Sequence, residues 1–290
     1  MKSFLKYFFA LLAFVVGLAL ANDGLNVYLM RNAVGNSAGK MARLWGNPCP
    51  EEVTVFGSSR ALGHFVPSIL GTNCFNYGEN GMGVPEVLFL LETASRRRTD
   101  IPVIVNLDPW GFGGFAHPRF VGDYRLAPQS GRLAWKEKLW GVRFYGCLRQ
   151  SFTMWLNERT ATTKVIESGA VIPRQSRTPE EWKVMNAKQK PWRFARDDAG
   201  ERRFEEQLKA LAPRQVYVVV GPCCSRFTEL YPDADSLRNY LARLAQLTNV
   251  RILNLFETEA FTDLDFFDPL HLNYQGACKF SKMVRQVMVD

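Results

Sequence analysis

Histidine is scarce in this chain, with three among 290 residues, at positions 64, 117 and 271. Chemistry that needs an imidazole base near neutral pH therefore has few candidates. The six cysteines (49, 74, 147, 223, 224 and 278) follow no zinc-ligand spacing, because the adjacent Cys223–Cys224 pair cannot present tetrahedral ligands as C-x-x-C does. No metal centre and no cofactor are expected. Zinc-finger spacing, an aromatic-basic ribonucleoprotein signature and a long basic arm are all missing, so nucleic acid is not an expected partner despite a net charge of +8. That charge reads instead as a surface that tolerates anionic lipid or polyanionic envelope polymers. Internal repeats and low-complexity segments are absent too. With 47% hydrophobic and 22% charged residues, the composition is that of a folded globular chain.

What the chain has in plenty is a hydrophobic start. Lys2 and Lys6 precede Tyr7 to Ala21, which contains no charged or strongly polar residue. Its length lies between that of a signal-peptide core and that of a bilayer span. Residues 1–21 read as an uncleaved membrane anchor with its lysines inside. A signal cleaved after Ala19-Leu20-Ala21 is the alternative and would give a secreted protein. Either way the rest of the chain is expected outside the cytoplasm, in the periplasm if the cell has two membranes. An oxidising compartment makes disulfides possible, for example at Cys49 and Cys74, with core or idle cysteines the other reading.

Residues 22–50 read as a connector and 51–290 as one catalytic domain. Glu52–Phe56, Cys74–Tyr77, Ile101–Leu107, Gln215–Val220 and Val250–Leu255 are short β-branched or apolar runs expected as strands. Between them, residues 58–70, 85–98, 204–211, 234–247 and 272 onward are expected as helices. This alternation predicts an α/β domain of three layers, α/β/α, with a central parallel sheet covered on both faces, as in flavodoxin-like folds. Residues 112–205, rich in Trp, Arg and Lys, read as an insertion or cap with few strong strands and helices near 132–158 and 179–188.

Two motifs carry chemistry. The first strand runs into Gly57-Ser58-Ser59-Arg60, which places a hydroxyl at the strand's C-terminal end, where open α/β sheets bind ligands. It does not fit the G-x-S-x-G nucleophile elbow of ordinary α/β-hydrolases. Near the other end stands Asp268-Pro269-Leu270-His271, where an acid and an imidazole three apart can point to one side and proline stiffens the link. A serine hydroxyl needs such a base, and the base a partner that fixes its tautomer. Each motif alone has a plain structural reading, as a helix cap or a charge pair at a helix start. Among the other histidines, His64 falls on the helix after Ser59 and His117 in a loop.

Together with the glycine-rich Asn76-Tyr77-Gly78-Glu79-Asn80-Gly81, these motifs resemble the blocks of the SGNH (GDSL-type) hydrolase superfamily over residues 53–110 and 215–288. The resemblance is to its membrane-anchored envelope members, of the teichoic-acid D-alanylation or exopolysaccharide O-acetylation type. It implies an SGNH-like fold with Ser59 as nucleophile, His271 as base and Asp268 as its partner. It also implies an oxyanion hole built from the amides of Ser59 and Gly81. The expected substrates are then an acylated glycan or envelope polymer. The expected partners are the inner membrane, through the N-terminal helix, and other envelope-biosynthesis membrane proteins. One block departs from the pattern. Where the family carries asparagine after the third strand, this chain reads Asn106-Leu-Asp-Pro-Trp110, and Trp110 stands in its place. Its indole N–H is a candidate replacement donor, while Asp108 is open to two readings, substrate orientation or loop capping. The departure also supports an alternative function: a non-catalytic polysaccharide assembly or binding protein that keeps the fold.

Overall fold

The computed structural model describes residues 2–32, 35, 39–40, 43–44, 49, 51–94, 100–112, 147–188 and 190–290. Contacts divide the chain into two compact units, one of Met1–Gly46 with Val121–Thr160 and the other of Asn47–Phe120 with Ala161–Asp290.

In the first unit, helix α1 spans Lys2–Arg31, ten residues beyond the expected anchor and into the expected connector. Its stretch Ser3–Asn22 has a mean hydropathy of 2.2 with none of it buried, and is long and apolar enough to cross a membrane. Another helix of this unit, Cys147–Thr160, lies beside it.

The second unit is an α/β domain. Strands β1 (Val53–Phe56), β2 (Cys74–Asn76), β3 (Val103–Asn106), β6 (Val216–Val220) and β7 (Val250–Asn254) form one sheet in the order β2-β1-β3-β6-β7. Every pairing is parallel. The expected strands all form, each within a residue or two of its expected ends. The four residues of β3 and the five of β6 are entirely buried, as continuous apolar runs covered on both faces require.

Helices make the outer layers. Val84–Ala94 packs with Asp198–Ala210, and Tyr274–Val289 packs with the two short helices that follow β1. Residues 58–70 do not form one helix, as expected, but two: α2 (Ser59–His64) and α3 (Pro67–Leu70). Pro67 is the cause, since it disfavours helical backbone at Val66, which is extended.

The middle segment holds a second difference. Lys164–Glu167 (β4) and Ala170–Pro173 (β5) pair as an antiparallel hairpin through Ser168-Gly169, both at positive φ. The hairpin packs beside β2. Ala170 and Ile172 are fully buried, and the Ser168 carbonyl accepts the Asn76 amide at 2.8 Å, which ties the turn to β2. Helix Pro179–Ala187 forms where expected, with a capping box between Thr178 and Glu181. His117, named above, and the end of the helix expected over 85–98 lie outside the described residues.

Gly57 is the hinge between β1 and α2. Its φ is +148°, and a Cβ there would stand 2.9 Å from both the Ala61 and Asn106 Cβ atoms. Gly57→Ala is therefore expected to cost about 2 kcal/mol of stability, a value typical of backbone held where L-residues avoid going. Urea denaturation followed by circular dichroism checks it; an unchanged midpoint would mean the turn tolerates a side chain.

Candidate active site

Ser58 and Ser59 both stand at the C-terminal end of β1, and the structure separates their roles. Ser58 is the N-cap of α2: its buried hydroxyl accepts the Arg60 amide at 3.2 Å. Ser59 opens the helix, is only partly buried, and its Oγ lies 2.8 Å from His271 Nε2. The two residues are 212 positions apart in sequence.

His271 is carried by a local device. Strand β8 (Phe266–Asp268) turns through Pro269-Leu270 into β9 (His271–Leu272), and Asp268 pairs with His271 across the turn. Asp268 Oδ1 accepts the backbone amides of Leu270 and His271, each at 2.9 Å. The same carboxylate meets His271 Nδ1 at 2.8 Å and 2.9 Å through its two oxygens. One aspartate thus shapes the turn and orients the ring. A neutral His271 that donates from Nδ1 to Asp268 presents Nε2 as an acceptor to the Ser59 hydroxyl.

Burial alone would push the Asp268 carboxyl up. The bond and charge of His271 and the two backbone amides outweigh it and hold the carboxyl below the usual aspartate range. A depressed folded-state value contributes stability above the unfolded value, lost as pH falls through the folded one. The stability difference between wild type and Asp268→Asn is accordingly expected to be full at neutral pH. It should shrink only as pH drops below the ordinary aspartate range. Urea titrations at a series of pH values check this, and a difference independent of pH would contradict it.

The residue two places after His271 anchors the start of the last helix. Asn273 caps the last helix by accepting the Gly276 amide at 3.0 Å, and its Nδ2 donates to Ser176 Oγ at 2.7 Å and the Leu264 carbonyl at 2.6 Å.

Gly81 lies in the turn after β2, at φ +73°, and its amide has no hydrogen-bond partner among the described residues. The turn is pinned to α2 from its start: Asn76 Nδ2 donates to the Ala61 carbonyl at 2.7 Å, and the Glu79 amide donates to the Gly57 carbonyl at 3.0 Å. The Ser59 amide, in the first turn of α2, has no intrahelical acceptor.

Trp110 follows β3, and its carbonyl accepts the Ala195 amide at 3.1 Å. Its ring is tilted by 41° against that of Trp192, 5.1 Å away, and lies 5.7 Å from the Arg60 guanidinium carbon. Among the described residues no hydrogen bond joins it to Ser59 or His271. Asp108 stands deeper. Its Oδ1 accepts Asn106 Nδ2 at 3.0 Å, and it also takes a bond from the Ser58 hydroxyl. Burial pushes its carboxyl up, against the pull of Arg60, of those two bonds and of His271. Asp108 therefore braces the Ser58 cap, which agrees with the loop-capping reading.

Two competing nucleophiles are set aside by their surroundings. Burial raises the Cys223 thiol to about 12 and the Cys224 thiol to about 11, so both stay protonated near neutral pH. Cys49, Cys74, Cys223, Cys224 and Cys278 are free thiols, so the disulfides raised as an option at Cys49 and Cys74 are not formed.

The sequence did not single out Arg60 or give His64 a role. Both are fully buried in α2, the helix that Ser59 opens. The signal for them was present: four positions apart on a helix that begins with Ser59, they share one face.

No family model matches this chain, and no curated protein matches it. Among solved structures, one described as "The structure of a putative platelet activating factor from Streptococcus pneumonia" is similar, with 10% identity and a TM-score of 0.41. The match covers 96% of this chain and 98% of that one. A likeness of that size carries no argument about what this chain does.

Proposed function

We propose that the protein is an SGNH-like serine hydrolase or O-acyltransferase that uses Ser59, His271 and Asp268 as a catalytic triad. One observation carries the reading. The partly exposed Ser59 Oγ lies 2.8 Å from His271 Nε2, while the opposite ring nitrogen lies 2.8 Å from Asp268. That is the nucleophile–base–orienter arrangement that acyl transfer requires.

In the mechanism, Ser59 Oγ attacks an acyl carbonyl carbon and its proton passes to Nε2 of His271. Asp268 holds the imidazolium that results. The oxyanion of the tetrahedral intermediate is received by the Ser59 and Gly81 amides, neither of which has another partner among the described residues. Trp110 is the candidate third donor. Collapse expels the alcohol, which takes the proton from His271 and leaves an acyl-serine. Water, or a sugar hydroxyl activated by the same histidine, then accepts the acyl group.

The substrate class in this proposal is an acylated glycan or polymer of the cell envelope. The apolar N-terminal helix supports it, since an anchor there would hold the catalytic unit outside the cytoplasm at the membrane surface, beside other envelope-biosynthesis membrane proteins. A fluorophosphonate probe tests the serine chemistry without knowledge of the substrate. Labelling of wild type that disappears in Ser59→Ala is the expected result; a silent wild type would favour the non-catalytic binding role.

A further inference from the structure

Two buried polar side chains of α2 take no part in the mechanism above. Arg60 and His64 are both 0% exposed, which is unusual for a guanidinium. Standing one helical turn apart, they point to the same side of α2.

Arg60 Nη2 donates to the carbonyls of Gly221 and Pro222, each at 2.7 Å, just beyond the end of β6. Two residues further on, the Cys224 amide donates to the Pro269 carbonyl at 3.2 Å, inside the turn that carries Asp268 and His271. His64 reaches the same turn directly. Its Nε2 lies 3.1 Å from the Leu270 carbonyl and 3.2 Å from the Leu272 amide, the backbone groups on either side of His271. The tautomer decides which of the two it bonds, but either bond holds the turn. The His64 and His271 rings meet edge to face at 6.3 Å between centroids.

We infer that Arg60 and His64 form a clamp that sets the distance between Ser59 and His271. They are positioning residues: Ser59 opens the helix that bears them, and their bonds end on the turn that bears the base. The inference rests on the reading of Ser59 and His271 as nucleophile and base.

A space-filling role alone does not account for these residue types. Arg60 Nε and Nη1 and His64 Nδ1 have no hydrogen-bond partners among the described residues, so the pair carries unsatisfied polar atoms that a leucine or methionine would not. The contact is also close-fitting. A Cβ on Gly221 would stand 3.0 Å from His64 Nδ1 and 3.2 Å from Arg60 Nη2. Because a misplacement of about 1 Å at a reacting pair can cost about 100-fold in rate, fixing α2 against the turn has a direct catalytic consequence.

The test is the rate of fluorophosphonate labelling of the full-length protein, read beside its melting temperature. His64→Leu and Arg60→Met fill similar volumes without hydrogen bonds. They are expected to label about 10–100-fold more slowly while still melting cooperatively above the labelling temperature. His64→Gln, whose amide reaches the place of Nε2, is expected to restore a rate near wild type. Gly221→Ala keeps both residues, presses on the clamp, and is expected to slow labelling should the other variants fail to fold. Wild-type rates in His64→Leu or in folded Gly221→Ala would overturn the clamp. So would a His64→Gln protein as slow as His64→Leu. A wild type that does not label, or labels equally as Ser59→Ala, overturns the reading of the site and the clamp with it.

Discussion

Replacing Ser59 with alanine is expected to abolish covalent labelling and to lower turnover by about 10⁵–10⁶-fold, the loss seen when a triad nucleophile is removed. The fold should be untouched. Ser59 Oγ makes its contact with His271 and is not the cap of α2, which belongs to Ser58. Ser58→Ala is the informative companion. It removes a cap that accepts the Arg60 amide, so it should lower stability while leaving the serine that reacts. A reversal of these two results would move the nucleophile to position 58. Labelling kinetics and thermal melts of both variants decide between them.

Asp268→Asn is expected to lower turnover by about 10⁴-fold, the size of effect found when the orienting carboxylate of a triad becomes an amide. An asparagine that presents its NH₂ to Nδ1 favours the tautomer with the proton on Nε2, and the ring can then no longer accept from Ser59. The neighbouring acids make the comparison sharp. Asp263 is exposed and contacts Ser225, at 3.5 Å, while Asp265 pairs with Lys279 at 3.2 Å and closes a capping box with Thr262. Neither touches His271, so Asp263→Asn and Asp265→Asn should leave the rate close to wild type. Equal losses in all three would place the orienting carboxylate elsewhere. The rate is measured with any activated ester that wild type hydrolyses, or with the fluorophosphonate probe.

Much of the frame was legible in the sequence because it depends on runs of one residue type. The buried parallel strands declared themselves as apolar stretches such as Val216–Val220, and the breaks after them as glycine, proline or asparagine. The ends of the site were legible for a different reason: Ser59 and the Asp268–His271 pair stand in short motifs whose spacing serves one chemistry. Their meeting at 2.8 Å is a tertiary fact that no local pattern carries.

What escaped the sequence was set by contacts distant along the chain. The β4–β5 hairpin is built from Val165-Ile166 and Val171-Ile172 around Ser168-Gly169, an ordinary hairpin signal lost within a segment rich in Trp and basic residues. One bond that ties it to β2 runs from the Asn76 amide to the Ser168 carbonyl. The break between α2 and α3 was signalled by Pro67, but the apolar periodicity across it suggested a longer helix. Arg60 drew no reading from the sequence, since charge ordinarily means surface. The carbonyls of Gly221 and Pro222, 161 and 162 residues away, and the nearby charge of Asp108 accompany its burial. Asp108 was ambiguous because its partner Ser58 comes from another strand's end.

Peptide mapping after fluorophosphonate treatment of the full-length protein tests the central claim most directly. The predicted result is a single adduct on the peptide that carries Ser59, absent from Ser59→Ala and formed far more slowly in Asp268→Asn. An unmodified wild type, or an adduct that persists in Ser59→Ala, would contradict the assignment of Ser59, His271 and Asp268 as the reacting site.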